Sequence, residues 1–132
     1  MRYFKTIIVV FICALALYGV NTLAKTYTFA QVKVPAHAKA IDVATSIKEN
    51  TSDQKFIKYT CRDTFSNDER AIEVRTYSHA LNRYSYWVKA PKNSTVNISN
   101  GTHTASGTYT LQVRTEASKI TGCELSGSWL LD

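Results

Sequence analysis

The side chains of this chain that could do chemistry are few and scattered. His37, His79 and His103 lie far apart, and none falls within a metal signature such as His-Glu-x-x-His. No Gly-x-Ser-x-Gly elbow marks a hydrolase nucleophile, and no glycine-rich loop is present to cradle a phosphate. Carboxylates of the type a glycosidase pairs are present, for example Asp63 and Glu73, but nothing in the linear order brings them together. The expectation is a non-catalytic protein that takes no metal and no cofactor.

Three cysteines, Cys13, Cys61 and Cys123, remain to be explained. Cys13 sits inside an apolar N-terminal run, which leaves Cys61 and Cys123 as one possible pair in the rest of the chain. Neither belongs to a Cys-x-x-Cys or Cys/His cluster, so a structural disulfide is expected if the chain is exported to an oxidising compartment. Closing a loop of about 63 residues would contribute roughly 4 kcal/mol, a large share of a small domain's stability.

The most suggestive segment for recognition is Arg83-Tyr84-Ser85-Tyr86-Trp87-Val88-Lys89. Uninterrupted strand alternation would place Tyr84, Tyr86 and Val88 in the core and leave Trp87 outward, with Arg83 and Lys89 beside it. An exposed indole flanked by cations suits a sugar ring or an anionic polymer, where stacking and charge act together. Trp87, Arg83 and Lys89 are therefore the candidate partner-binding residues.

These side chains need a scaffold, and the first element to set aside is a leader. Arg2 and Lys5 precede the uncharged, mostly apolar run from Thr6 to Val20, and Asn21-Thr22-Leu23-Ala24 follows. That is the layout of a secretory signal peptide cleaved after Ala24, and the apolar run is short of the roughly 20 residues of a membrane-spanning helix. Residues 1–24 are read as the signal peptide and residues 25–132 as one secreted domain, with no integral membrane insertion after processing.

Beyond the leader the apolar residues alternate with period two. Candidate strands are Thr26 to Val34, Ala40 to Ile47, Phe56 to Cys61, a segment around Ile72 and Val74, Tyr84 to Val88, a segment around Val96 and Ile98, Tyr109 to Val113, and Cys123 to Trp129. About eight short strands at regular spacing, with abundant Ser and Thr, predict an all-β fold: an antiparallel β-sandwich, jelly-roll-like in its variant form. The phase slips between Tyr27/Phe29 and Val32/Val34, which places a bulge near Ala30 and Gln31. Asn100-Gly101 reads as a hairpin turn, Ser66–Glu69 and Pro91–Ser94 read as loops, and Pro35 ends the first strand.

The full chain carries a formal net charge of +6, two units of which belong to the leader. Because the cations are dispersed singly rather than gathered in a patch, nucleic-acid recognition is not expected, whereas mild affinity for anionic cell-surface material is. The layout resembles small exported all-β proteins of Gram-positive bacteria that have no assigned function, some grouped near secreted bacteriocins. Lys25-Thr26-Tyr27-Thr28-Phe29, Tyr109-Thr110-Leu111-Gln112-Val113-Arg114 and Ser126-Gly127-Ser128-Trp129 carry that resemblance. It implies a secreted β-domain and no catalytic residues. The functional expectation is a secreted or cell-surface binding protein whose partner is a cell-wall polymer, a glycan or another cell's surface. The alternative is a bacteriocin-like antagonistic protein.

Overall fold

The computed structural model describes residues 25–99 and 101–131; residues 1–24, on which the expected signal peptide and Cys13 fall, Asn100 and Asp132 lie outside the described residues. Among the described residues nine strands are formed: β1 (Thr26–Val34), β2 (Ile41–Lys48), β3 (Lys55–Asp63), β4 (Ile72–Ser78), β5 (Arg83–Tyr84), β6 (Val88–Ala90), β7 (Thr95–Asn97), β8 (Gly107–Arg114) and β9 (Cys123–Leu130). They build two antiparallel sheets, β1-β9-β3-β7 and β2-β8-β4-β5, with β6 also paired to β4. Counting β5 and β6 as one interrupted strand gives the strand order of an eight-stranded jelly roll. The chain changes sheet at every connection except β4 to β5 and β5 to β6. Among the described residues there is no helix long and apolar enough to cross a membrane.

Alternation decides what the two layers bury. Ile72, Val74, Thr76 and Ser78 of β4 point inward with Tyr109, Leu111 and Val113 of β8. They face Phe56 and Cys61 of β3, Leu125 and Trp129 of β9, and Phe29 and Val34 of β1. Each large apolar side chain so buried contributes about 1.5–3 kcal/mol. The expected irregularity in β1 is present: its register with β9 shifts between Phe29 and Val32, and Gln31 takes a positive φ of 56°. Its amide donates to Ser126 Oγ at 3.1 Å. Gly127 is required opposite this bulge, because a Cβ there would lie 2.6 Å from the Ile57 carbonyl oxygen.

Cys61 and Cys123 lie on neighbouring strands of the first sheet with their Cα atoms 5.9 Å apart, inside the range a disulfide requires. The hairpin expected at Asn100-Gly101 falls partly on Asn100, outside the described residues, and the flanking strands do not pair as a hairpin. Thr102 N donates to Ser99 O at 2.7 Å and Gly101 has φ 80°, so the chain turns there. The segment 98–106 nevertheless crosses from β7 in one sheet to β8 in the other rather than pairing with itself. Burial explains the detour, since Ile98, Ser99 and His103 are all drawn into the open end of the sandwich. Their polar groups meet Gln54 there: its amide N–H donates to Ser99 Oγ at 2.6 Å and its Nε2 to His103 O at 2.9 Å. Trp129 Nε1 donates to Gln54 Oε1 at 3.1 Å, so the buried indole nitrogen and the buried amide satisfy each other.

Candidate functional site

The outer face of the second sheet is built from residues that alternate with the core set. Cross-strand pairing sets Arg75 beside Gln112, Glu73 beside Arg114, and Asp42 beside Gln112. These neighbours are bonded in a line: Arg75 Nε donates to Gln112 Oε1 at 2.9 Å, and Gln112 Nε2 donates to Asp42 Oδ1 at 2.7 Å. Arg114 Nε donates to Glu73 Oε2 at 2.7 Å. Both guanidinium groups are thereby oriented by strands rather than by loops.

The interrupted strand supplies the rings. Tyr84 pairs with Tyr77 and Val88 pairs with Val74, so four residues advance on this strand where β4 advances three. Ser85 N donates to Thr76 O at 2.8 Å and Ser85 Oγ accepts from Thr76 N at 2.9 Å, which pins one inward position between them. Tyr86 and Trp87 together then oppose Arg75 as a bulge, and the parity of the strand flips across it. Tyr84 and Trp87 consequently emerge on the same outer face. The expected burial of Tyr84 and Tyr86 is corrected by this bulge: Tyr84 is 48% exposed and Tyr86 88% exposed.

Trp87 faces outward as alternation from Val88 requires, but it is half-buried rather than free. The Cζ atoms of Arg75 and Arg114 lie 4.3 and 4.1 Å from its ring centroid, and Arg75 Cζ also lies 3.7 Å from the Tyr84 centroid. The Tyr84 ring leans on Tyr77 at 4.7 Å, and Tyr77 meets His79 edge-on at 5.0 Å. The two other residues expected beside the indole are placed differently. Lys89 is exposed and turned to Glu116, 2.5 Å from Oε1, which raises the lysine pKa and lowers that of Glu116. Arg83 is exposed and pairs with Ser78, a position on the opposite side of the sheet from Tyr84. Of the three residues singled out, Trp87 and Lys89, the latter opposite Glu73, lie on the outer face, and Arg83 does not.

Beside the rings is a recess of about 330 Å³ lined by Asp42, Tyr77, His79, Tyr84, Thr110 and Gln112. His79 Nε2 and Thr110 Oγ1 share a hydrogen bond of 2.9 Å, and Thr110 shares another of 2.8 Å with Thr45. The arrangement offers a half-exposed ring edge, a carboxylate, an amide, an imidazole and a hydroxyl within one concavity. That combination can set a ring edge against an apolar surface while bonding to hydroxyl groups around it. Among the described residues no cluster of three or more His, Cys, Asp or Glu side chains is placed to hold a metal ion. No family model matches the chain, and no curated protein or solved structure matches it.

Proposed function

We propose that this protein is an exported, non-catalytic binding domain that takes a sugar-containing polymer of the cell surface or its surroundings. The observation that carries the reading is the recess beside Tyr84, where polar side chains already held by neighbours surround a stackable ring. A site whose groups are fixed before the ligand arrives loses little side-chain entropy on binding. Export is supported by the leader and by two cysteines at disulfide distance in an all-β domain.

Retention of the processed protein on insoluble cell walls and on a panel of immobilised glycans tests this function. Tyr84→Ala is expected to reduce retention about tenfold, the equivalent of one aromatic stacking contact. Tyr59→Ala, on the other sheet, is expected to leave it unchanged. No retention on any glycan, together with leakage of vesicles or growth inhibition of neighbouring cells, would replace this reading with the antagonistic one.

A further inference from the structure

Arg75 differs from Arg114, Lys89 and Arg70 in what balances it. Arg114 is bonded to Glu73, Lys89 to Glu116 and Arg70 to Asp63, each a carboxylate. The hydrogen-bond partner of Arg75 is the neutral Gln112, and its guanidinium carbon lies over the Tyr84 and Trp87 rings. The carboxylate at the end of that line, Asp42, is bonded to the far nitrogen of Gln112 rather than to the guanidinium. Arg114 shares the Trp87 ring with Arg75, so two positive groups converge on one indole while one carboxylate, Glu73, serves them. Burial lowers the Arg75 pKa, and the neighbouring Arg114 charge lowers it further, whereas the field of Tyr84 raises it. A negative group seated here would relieve that repulsion.

From this juxtaposition we infer that the polymer bound on this face is acidic, and that Arg75, backed by Arg114, receives its carboxylate, sulfate or phosphate group. The inference rests on the glycan-binding reading above. A guanidinium whose Nε is held by Gln112 and whose carbon lies over two rings has little freedom to turn, and its remaining N–H groups suit contact with an oxyanion. The recess lined by Asp42, Tyr77 and Tyr84 then takes the neighbouring, uncharged part of the same sugar. Specificity divides between the two: the recess reads hydroxyls, and Arg75 reads charge.

Matched polymers separate these roles. Affinity is measured for polygalacturonate against its fully methyl-esterified form, for chondroitin sulfate against desulfated chondroitin, and for a poly(glycerol phosphate) teichoic acid. The expected result is tenfold or tighter binding of at least one acidic form over its neutral counterpart, weakening with added salt. Arg75→Gln should abolish that preference while leaving residual binding of the neutral form, and Arg75→Lys should restore part of it. Arg83→Gln and Lys33→Gln, outside this row, should change it less than twofold.

Equal binding of acidic and neutral forms would overturn the inference and leave the glycan reading standing. Binding to no polymer of either kind would remove both. A preference lost equally in Arg83→Gln would assign the effect to diffuse charge and also overturn it. Thermal unfolding of each variant checks that the Trp87 contacts have not been traded for a disordered face, and Arg75→Lys keeps the test decisive if Arg75→Gln is unstable.

Discussion

The two sheets share one core and one topology, yet their outer faces are built to opposite ends. On the first sheet a set of hydroxyls on β1, β9 and β3, with the exposed Tyr59 among them, is bonded together: Thr28 and Ser128 share a 3.3 Å hydrogen bond, and Ser128 donates to the Tyr59 oxygen at 2.8 Å. The recess there, about 390 Å³, is lined by Gln31, Thr60, Arg62, Asp63, Thr64, Asn67, Glu124 and Ser126, with no aromatic ring. Asp63 within it is already committed to Arg70 and to the amides of Phe65 and Ser66. The second sheet instead carries Tyr77, Tyr84 and Trp87 interleaved with Arg75 and Arg114. The hydroxyls of the first sheet bond to one another, whereas on the second sheet guanidinium groups lie over rings and Arg75 meets a neutral partner.

The strongest way to break the comparison is to attack the covalent asymmetry between the sheets. Cys61→Ser is expected to cost about 3–4 kcal/mol in oxidising buffer, measured by urea unfolding, and to cost far less under reducing conditions. Equal stability in both buffers would show that the pair at 5.9 Å is not bonded. Next in size is Trp87→Ala, expected to cost about 2 kcal/mol because it removes two guanidinium contacts and half-buried ring area. The same variant should weaken glycan retention, which a purely structural ring would not do once the residual fold is verified by near-ultraviolet circular dichroism.

Acid should loosen the end of the sandwich beneath the second sheet. His103 is 3% exposed, shares a 3.2 Å hydrogen bond with Thr76 Oγ1, and packs on Tyr109 at 5.7 Å. Burial first, and the Arg83 charge second, hold its pKa below the ordinary 6.5. The unfolded chain therefore takes up this proton before the folded one does. Stability is complete above about pH 6.5 and declines as the pH falls below it. His103→Gln should flatten the pH dependence of the unfolding midpoint over that window. The smallest effect is expected on the hydroxyl face: Thr28→Ala should change stability by no more than about 0.5 kcal/mol, with no change in retention.

Much of this scaffold was legible in the chain. The β1 boundaries, the bulge at Gln31, the loops at Ser66 and Pro91 and the pairing of Cys61 with Cys123 all follow from short-range pattern and elimination. The site was half-legible. Trp87 could be found because it is a large ring in a polar strand, but its partners Arg75, Arg114, Asp42 and Gln112 come from three other strands that become neighbours only through the jelly-roll order. A signal did exist: Glu73, Arg75 and Tyr77 alternate with Ile72, Val74 and Thr76, which marks them as one outward row. The burial of Tyr84 and Tyr86 was misjudged because a two-for-one bulge leaves no mark in a single strand; it is defined by the register of the partner. Likewise Asn100-Gly101 carries hairpin chemistry, but the buried Ile98 and His103 on either side decide where the chain goes.

The interruption that brings Tyr84 and Trp87 to one face also belongs to a wider pattern at the margins of the sheets. An edge strand with a long regular row of unpaired amides is a template for edge-to-edge aggregation. Here β7 runs for three residues, and β5 with β6 is broken in the middle. The two long edges, β1 and β2, each carry a register shift, between Phe29 and Val32 and between Asp42 and Ala44. All four margins are thus too short or too irregular to accept a foreign strand over their full length. A chain so rich in β-structure therefore presents, among the described residues, no long regular edge to a neighbouring copy.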